Sequence, residues 1–140
     1  MNASEVIAVL GLSRHPEGGW FRETWRDSAP IGERGTGTAI YYLLAEGERS
    51  HWHRIDATEI WHFYAGDPLE LALSSDGISV RRLVLGTGLD QLQFPQSVVP
   101  AGTWQSARPL GRWALVGCTV TPAFEFTGFE LAPSGWEPGG

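Results

Sequence analysis

Lysine is absent from the 140 residues; all ten basic side chains are arginine. A Schiff-base amine and a lysine-anchored pyridoxal cofactor are therefore excluded. The single cysteine, Cys118, rules out an internal disulfide, a CxxC redox pair and a four-cysteine zinc or iron–sulfur site. No apolar run reaches the roughly 18 residues that span a bilayer, so no membrane partner is expected. The N-terminus shows no basic segment leading into an apolar core, and a cytoplasmic location is the expectation. A net charge of −6 without a clustered basic tract argues against nucleic acid as a partner.

What is present describes a folded β-domain. Hydrophobic residues make up 42% of the chain and seven are tryptophan, which argues against disorder. At 140 residues the chain reads as one domain, residues 1–140, able to bury a sizeable core. Residues 4–10 pattern as a short helix, with Ser4 as cap, an apolar stripe through Val6, Ile7, Val9 and Leu10, and Gly11 as stop. The segment His15-Pro16-Glu17-Gly18-Gly19 is turn chemistry. Strands are then expected over 20–26, 38–44, 59–64, 69–73, 78–85, 96–99, 113–120 and 124–131, so the β-rich body covers about 20–131. Turn signals such as Gly66-Asp67-Pro68 and Ser75-Asp76-Gly77 separate them at short intervals, the mark of a sandwich or closed barrel. The tail from Pro133 is expected to be irregular, pinned by Trp136.

His51-Trp52-His53, followed by Glu59, is the stretch with chemical content. Histidines at i and i+2 project from one face of a strand, and a turn can return a carboxylate six residues on to that face. Two histidines and a carboxylate with open positions form the facial set of non-haem iron(II) sites and also a catalytic zinc set. The candidate metal ligands are thus His51, His53 and Glu59, with His53 and Glu59 as the candidate catalytic pair.

The wider pattern Gly47-x3-His51-x-His53-x5-Glu59-x6-Gly66 resembles the first cupin motif, with a shortened glycine-to-histidine spacing. Pro100-Ala101-Gly102-Thr103-Trp104-Gln105 resembles the second, except that glutamine stands where that motif ends in histidine. More narrowly, the chain is similar to the cupin-5 (DUF985) family. The likeness is carried by the segments His15 to Thr24, Glu59 to Gly66, Gly117 to Val120 and Phe126 to Leu131. It implies an all-β double-stranded β-helix, the cupin jelly-roll barrel, with a short N-terminal helix, a site inside the barrel and usually a dimer. In metal cupins the matching histidine completes a set of three histidines and one glutamate, which makes Gln105 a fourth candidate ligand for iron, manganese, nickel or zinc. Gln105 could equally hydrogen-bond a substrate, or the same residues could form a metal-free pocket. Trp52, Trp104 and Arg22 join Gln105 as candidate ligand contacts.

Other residues carry blander expectations. His62 and Tyr64 fall on the opposite strand face from Glu59 and are excluded from the site. His15 is a candidate for the pocket rim or a hydrogen-bonded loop residue. Cys118 shares parity with Ala114, Val116 and Val120 and is expected to be a buried, inert thiol. Three functions compete: a metal-dependent isomerase or oxygenase acting on a small polar molecule, a metal-free acid–base enzyme of the sugar-nucleotide epimerase kind, and a non-catalytic ligand-binding barrel. The strand around 20–25 is apolar enough to pair across a two-fold axis, so a homodimer is expected.

Overall fold

The computed structural model describes residues 1–140. Helix α1 (Ala3–Leu10) precedes twelve strands. These are β1 (Ser13–Arg14), β2 (Trp20–Arg26), β3 (Thr38–Ala45), β4 (Ser50–Ile55), β5 (Thr58–Gly66) and β6 (Leu69–Ser74). They continue with β7 (Arg81–Leu85), β8 (Gln93–Phe94), β9 (Gln96–Val99), β10 (Trp104–Pro109), β11 (Trp113–Thr121) and β12 (Phe129–Leu131). Two six-stranded sheets result, in the orders β1-β2-β3-β11-β5-β9 and β12-β4-β10-β6-β7-β8. All pairings are antiparallel except the short β7–β8 contact. The architecture is an all-β jelly roll with one short helix. No helix is long and apolar enough to cross a membrane.

Local chemistry moves several element ends. Asn2, not Ser4, caps α1, its Oδ1 accepting the Glu5 amide at 2.9 Å. The strand expected from residue 78 starts at Arg81, because Asp76 Oδ1 accepts the amides of Ile78 and Ser79 at 2.8 and 2.9 Å and holds them in a turn. Residues 126–128 form a 3-10 turn, which shortens the last strand to Phe129–Leu131. Strand β10 was not among the expected strands: Trp-Gln-Ser-Ala-Arg-Pro has no β-branched residue, and its strand state comes from pairing with β4 and β6 on both sides.

One end of the barrel is solid. Leu44, Trp61, Leu69, Leu71, Leu85, Val99 and Val116 are almost completely buried there, each large aliphatic contributing about 1.5–3 kcal/mol of transfer free energy. Helix α1 lies outside, burying Val6 with Leu12 and Leu43 against the first sheet. The other end of the barrel holds a cavity.

Candidate functional site

The loop 15–19 delivers two titratable side chains into that cavity. Gly18 and Gly19 adopt φ of +110° and +79°. A Cβ on Gly18 would collide with the Arg49 carbonyl, and one on Gly19 with Leu44 and the Leu43 carbonyl, so only glycine lets the loop close on β3 and β4. The His51 amide then donates to Glu17 O at 2.8 Å, and the Tyr42 hydroxyl donates to Gly18 O. Glu17, a charged residue, ends up only 8% exposed.

Its partner is His53 on β4. Nε2–H donates to Glu17 Oε2 at 3.0 Å, and Nδ1–H donates to His51 O at 2.7 Å. Both ring nitrogens face acceptors, which identifies the ring as an imidazolium. Burial opposes that charge, but the Glu17 carboxylate, with Glu59 behind it, outweighs burial and raises the pKa to about 9. Burial pushes Glu17 up as well; the charge and hydrogen bond of His53 overcome it and leave Glu17 below its ordinary value.

His15 is different. Its Nδ1 accepts the Glu17 amide at 3.1 Å, so the ring proton sits on Nε2. Burial, the largest effect, lowers its pKa. The 3.9 Å approach of Nδ1 to Glu17 Oε2 is therefore not an ion pair but a neutral ring beside a carboxylate. Phe21 packs edge-on against it at 4.6 Å between ring centroids.

Glu59 on β5 completes the polar group. Trp61 Nε1–H donates to Gln105 Oε1 at 2.8 Å, which fixes the amide, and Gln105 Nε2–H donates to Glu59 Oε1 at 2.8 Å. Gln105 is fully buried and Glu59 is 7% exposed. Burial, the dominant influence, and the Glu17 charge raise the Glu59 pKa to about 7, against the lowering effects of His53 and Gln105. Cys118 lies alongside in the cavity wall, and burial pushes its thiol well above the usual range. The cavity measures about 60 Å³. Phe21, Phe124, Phe126 and Phe129 give it an aromatic side, and Glu23 and Arg26 stand at the rim.

Several expected site residues lie elsewhere. The β4–β10 register pairs Gln105 with His53 and Ala107 with Ser50, so His51 and Trp52 together oppose the single residue Ser106. This β-bulge breaks the i, i+2 alternation that would have put both histidines on one face. His51 turns to the C-terminal tail, Nε2 meeting Pro133 O at 3.0 Å. Trp52 and Trp104 pack against Trp136 outside the barrel rather than around a ligand. Arg22 donates to Leu10 O at 3.0 Å, pinned to the end of α1 on the outer face. His62, bonded to Thr119 Oγ1 at 3.0 Å, stands on the outer side of β5, opposite Glu59. Glu17 escaped the sequence reading, although two consecutive glycines after a titratable pair are a signal for a tightly folded, inward loop.

The metal set does not fit these contacts. His51 is outside the cavity, both nitrogens of His53 are engaged, and the ligating oxygen of Gln105 is occupied by the Trp61 indole. No group of three His, Cys, Asp or Glu side chains is disposed to hold an ion.

The family model described as Cupin superfamily (DUF985) matches residues 4–132. A crystal structure of a Shewanella oneidensis protein is similar at 36% identity, covering 94% of this chain and 85% of that one, with a TM-score of 0.89. A hypothetical protein from Leishmania major is similar at 28% identity, covering 97% and 90%, with a TM-score of 0.88. A dTDP sugar isomerase from Desulfovibrio desulfuricans shares the fold at 15% identity, covering 89% and 88%, with a TM-score of 0.62. No curated protein matches the chain.

Proposed function

The chain belongs to the DUF985 family of the cupin superfamily, and on that scaffold we propose a metal-free acid–base enzyme that moves a proton on a small carbonyl compound. The observation carrying this is Glu59: a buried carboxylate on the cavity wall, oriented by Gln105 and raised to about 7, where a proton is both accepted and returned at neutral pH. The carboxylate, held by Gln105 at Oε1 and by the Cys118 thiol, takes a proton from the carbon next to the carbonyl. The C–H bond breaks, an O–H bond forms on Glu59, and the electron pair moves onto the carbonyl oxygen as an enolate. His15 Nε2–H, the ring nitrogen not engaged with the backbone, supplies a neutral hydrogen-bond donor for that oxygen. The His53–Glu17 pair is neutral overall and holds the cavity wall, so the developing anion is offset by neutralisation of Glu59 as it takes the proton and by the His15 donor. Return of the proton to the same or the neighbouring carbon gives net isomerisation without any co-reactant.

The dTDP sugar isomerase shares this architecture, which supports the reaction type as compatible with the scaffold but not the substrate. A metal-dependent isomerase or oxygenase would need His51, which lies outside the cavity, together with His53, Glu59 and Gln105, whose ligating atoms are engaged with one another, Glu17 and Trp61. The binding-barrel alternative is separated by exchange. Carbonyl compounds incubated with the protein in D2O should gain deuterium next to the carbonyl, followed by NMR, and Glu59→Gln should stop it. Ligand that binds without ever exchanging would convert the reading to a binder. We also propose a homodimer, because β2 is capped by β1 only at Trp20 and Phe21 and exposes Trp25 beyond; sedimentation at a strictly monomeric mass would overturn it.

A further inference from the structure

Every cation at the cavity already has a partner. His53 faces Glu17 and the His51 carbonyl. Arg26 at the rim is chelated by Glu23, through Nε at 2.9 Å and Nη2 at 2.8 Å, while its Nη1 donates to Phe124 O at 2.9 Å. Against these two cations stand three carboxylates, Glu17, Glu23 and Glu59. The arginines that could meet a phosphate are on the opposite face of β10: Arg49 bonds Ser106 Oγ at 3.0 Å there, and Arg82 and Arg108 share Glu70. The interior volume of about 60 Å³ is several-fold below the roughly 300–1,000 Å³ of sites for drug-sized ligands.

From this charge and size we infer that the pocket takes an uncharged carbonyl compound with a short apolar chain of a few carbons, and that it rejects phosphorylated ligands such as nucleoside diphosphate sugars. The inference rests on the proton-transfer reading of the same site and names its substrate class. An apolar body packs on the wall of Phe21, Phe124 and Phe129, where ring faces and edges gain contact without unmaking any ion pair. A diphosphate entering the same space loses its hydration, finds no free guanidinium or amine, and meets a carboxylate excess. An anionic carboxylate of the same shape meets the same excess with one charge rather than several.

The test compares equilibrium binding of acetone, 2-butanone, propionate and dTDP at pH 7.5 by calorimetry and ligand-observed NMR, with wild type and Ile40→Trp. Ile40 lines the cavity, so the indole fills it; Val120→Phe is the second filling variant, with thermal unfolding as the folding control. The expected result is saturable binding of at least one neutral ketone, about tenfold or more tighter than propionate or dTDP, and lost in whichever filled variant folds. Tighter binding of dTDP, unchanged ketone binding in a folded filled variant, or no ketone binding at all would each overturn the assignment. Ketone binding without deuterium exchange would leave the ligand class standing and remove the proton-transfer reading. Exchange on a phosphorylated carbonyl compound would do the reverse.

Discussion

His51 and His53 stand two residues apart on one strand and live in different environments. His53 lies within the barrel, 2% exposed and charged against Glu17; His51 is partly exposed and tied to the tail at Pro133. The same contrast runs along β10, where Gln105 turns inward to Glu59 while Trp104 packs outside with Trp136. One inserted residue in β4 separates the two regions, since a bulge resets which side chains share a face. The inner face carries costly, mutually dependent charges; the outer face carries packing and isolated hydrogen bonds. Substitutions on the two faces should therefore differ in kind as well as in size.

The largest effect is expected inside, at Glu59. Glu59→Gln keeps a hydrogen-bond acceptor for Gln105 but removes the proton carrier, and deuterium exchange should fall by about 10²–10⁴-fold. Stability at pH 8 should hold or rise, because an ionised buried carboxylate is removed. Exchange at the wild-type rate would take Glu59 out of the mechanism.

Next comes the ion pair. Glu17→Gln leaves a buried imidazolium without its counter-charge and should cost about 3–5 kcal/mol in urea unfolding. The His53 ring, followed by 15N NMR, should then titrate well below about 9. A loss under about 1 kcal/mol would mean that the pair is solvated in solution and that Glu17 does not set the charge of His53.

The pH dependence sharpens the contrast further. Exchange should rise as Glu59 ionises near 7 and fall as His53 loses its proton near 9, the two limbs belonging to the coupled group. Stability runs differently. Glu59 and His53 both bind protons more tightly folded than unfolded, so their contributions are complete at low pH and vanish as pH rises through about 7 and about 9. Glu17, held below its ordinary value, contributes above that value and loses its contribution as pH falls. Chemical denaturation from pH 4 to 10 should show a maximum on the acid side of neutrality. A maximum near pH 9 would contradict both raised groups.

The sequence was legible where pattern and environment agree. Trp20–Arg26 and Gln96–Val99 fall where alternation and turn residues put them, and the family likeness extends over residues 4–132. Glu59 and Cys118 face inward as their parity implies. His51 was misplaced because the bulge leaves no composition signature: nothing in Ser-His-Trp-His says that two residues will oppose one. Trp52 and Trp104 were misplaced although each adjoins an inward residue, His53 or Gln105, and alternation turns it outward. Arg22 was misplaced because β2 alternates too weakly to show which face meets α1. Glu17 stayed hidden because a buried loop carboxylate depends on His53, thirty-six residues away in the chain, and on two glycines whose conformations matter only after the loop closes. Long-range pairing, not local propensity, decided His51 and Glu17.

The smallest effect is expected at His51, and it tests the bulge directly. His51→Ala removes one partly exposed hydrogen bond to Pro133 O, a loss of about 0.5–1.5 kcal/mol, and should leave deuterium exchange unchanged. If both histidines shared a metal, the same substitution would strip the ion and the activity together. Protein purified without chelators, wild type and His51→Ala, would be incubated with Mn²⁺, Ni²⁺ or Zn²⁺, desalted and measured for metal content, stability and exchange. The inward pairing of His53 with Glu17 predicts equal, substoichiometric metal in both proteins and equal exchange. Stoichiometric metal in wild type, lost in His51→Ala along with exchange, would mean that β4 pairs without its bulge and that the two faces of this strand are one site.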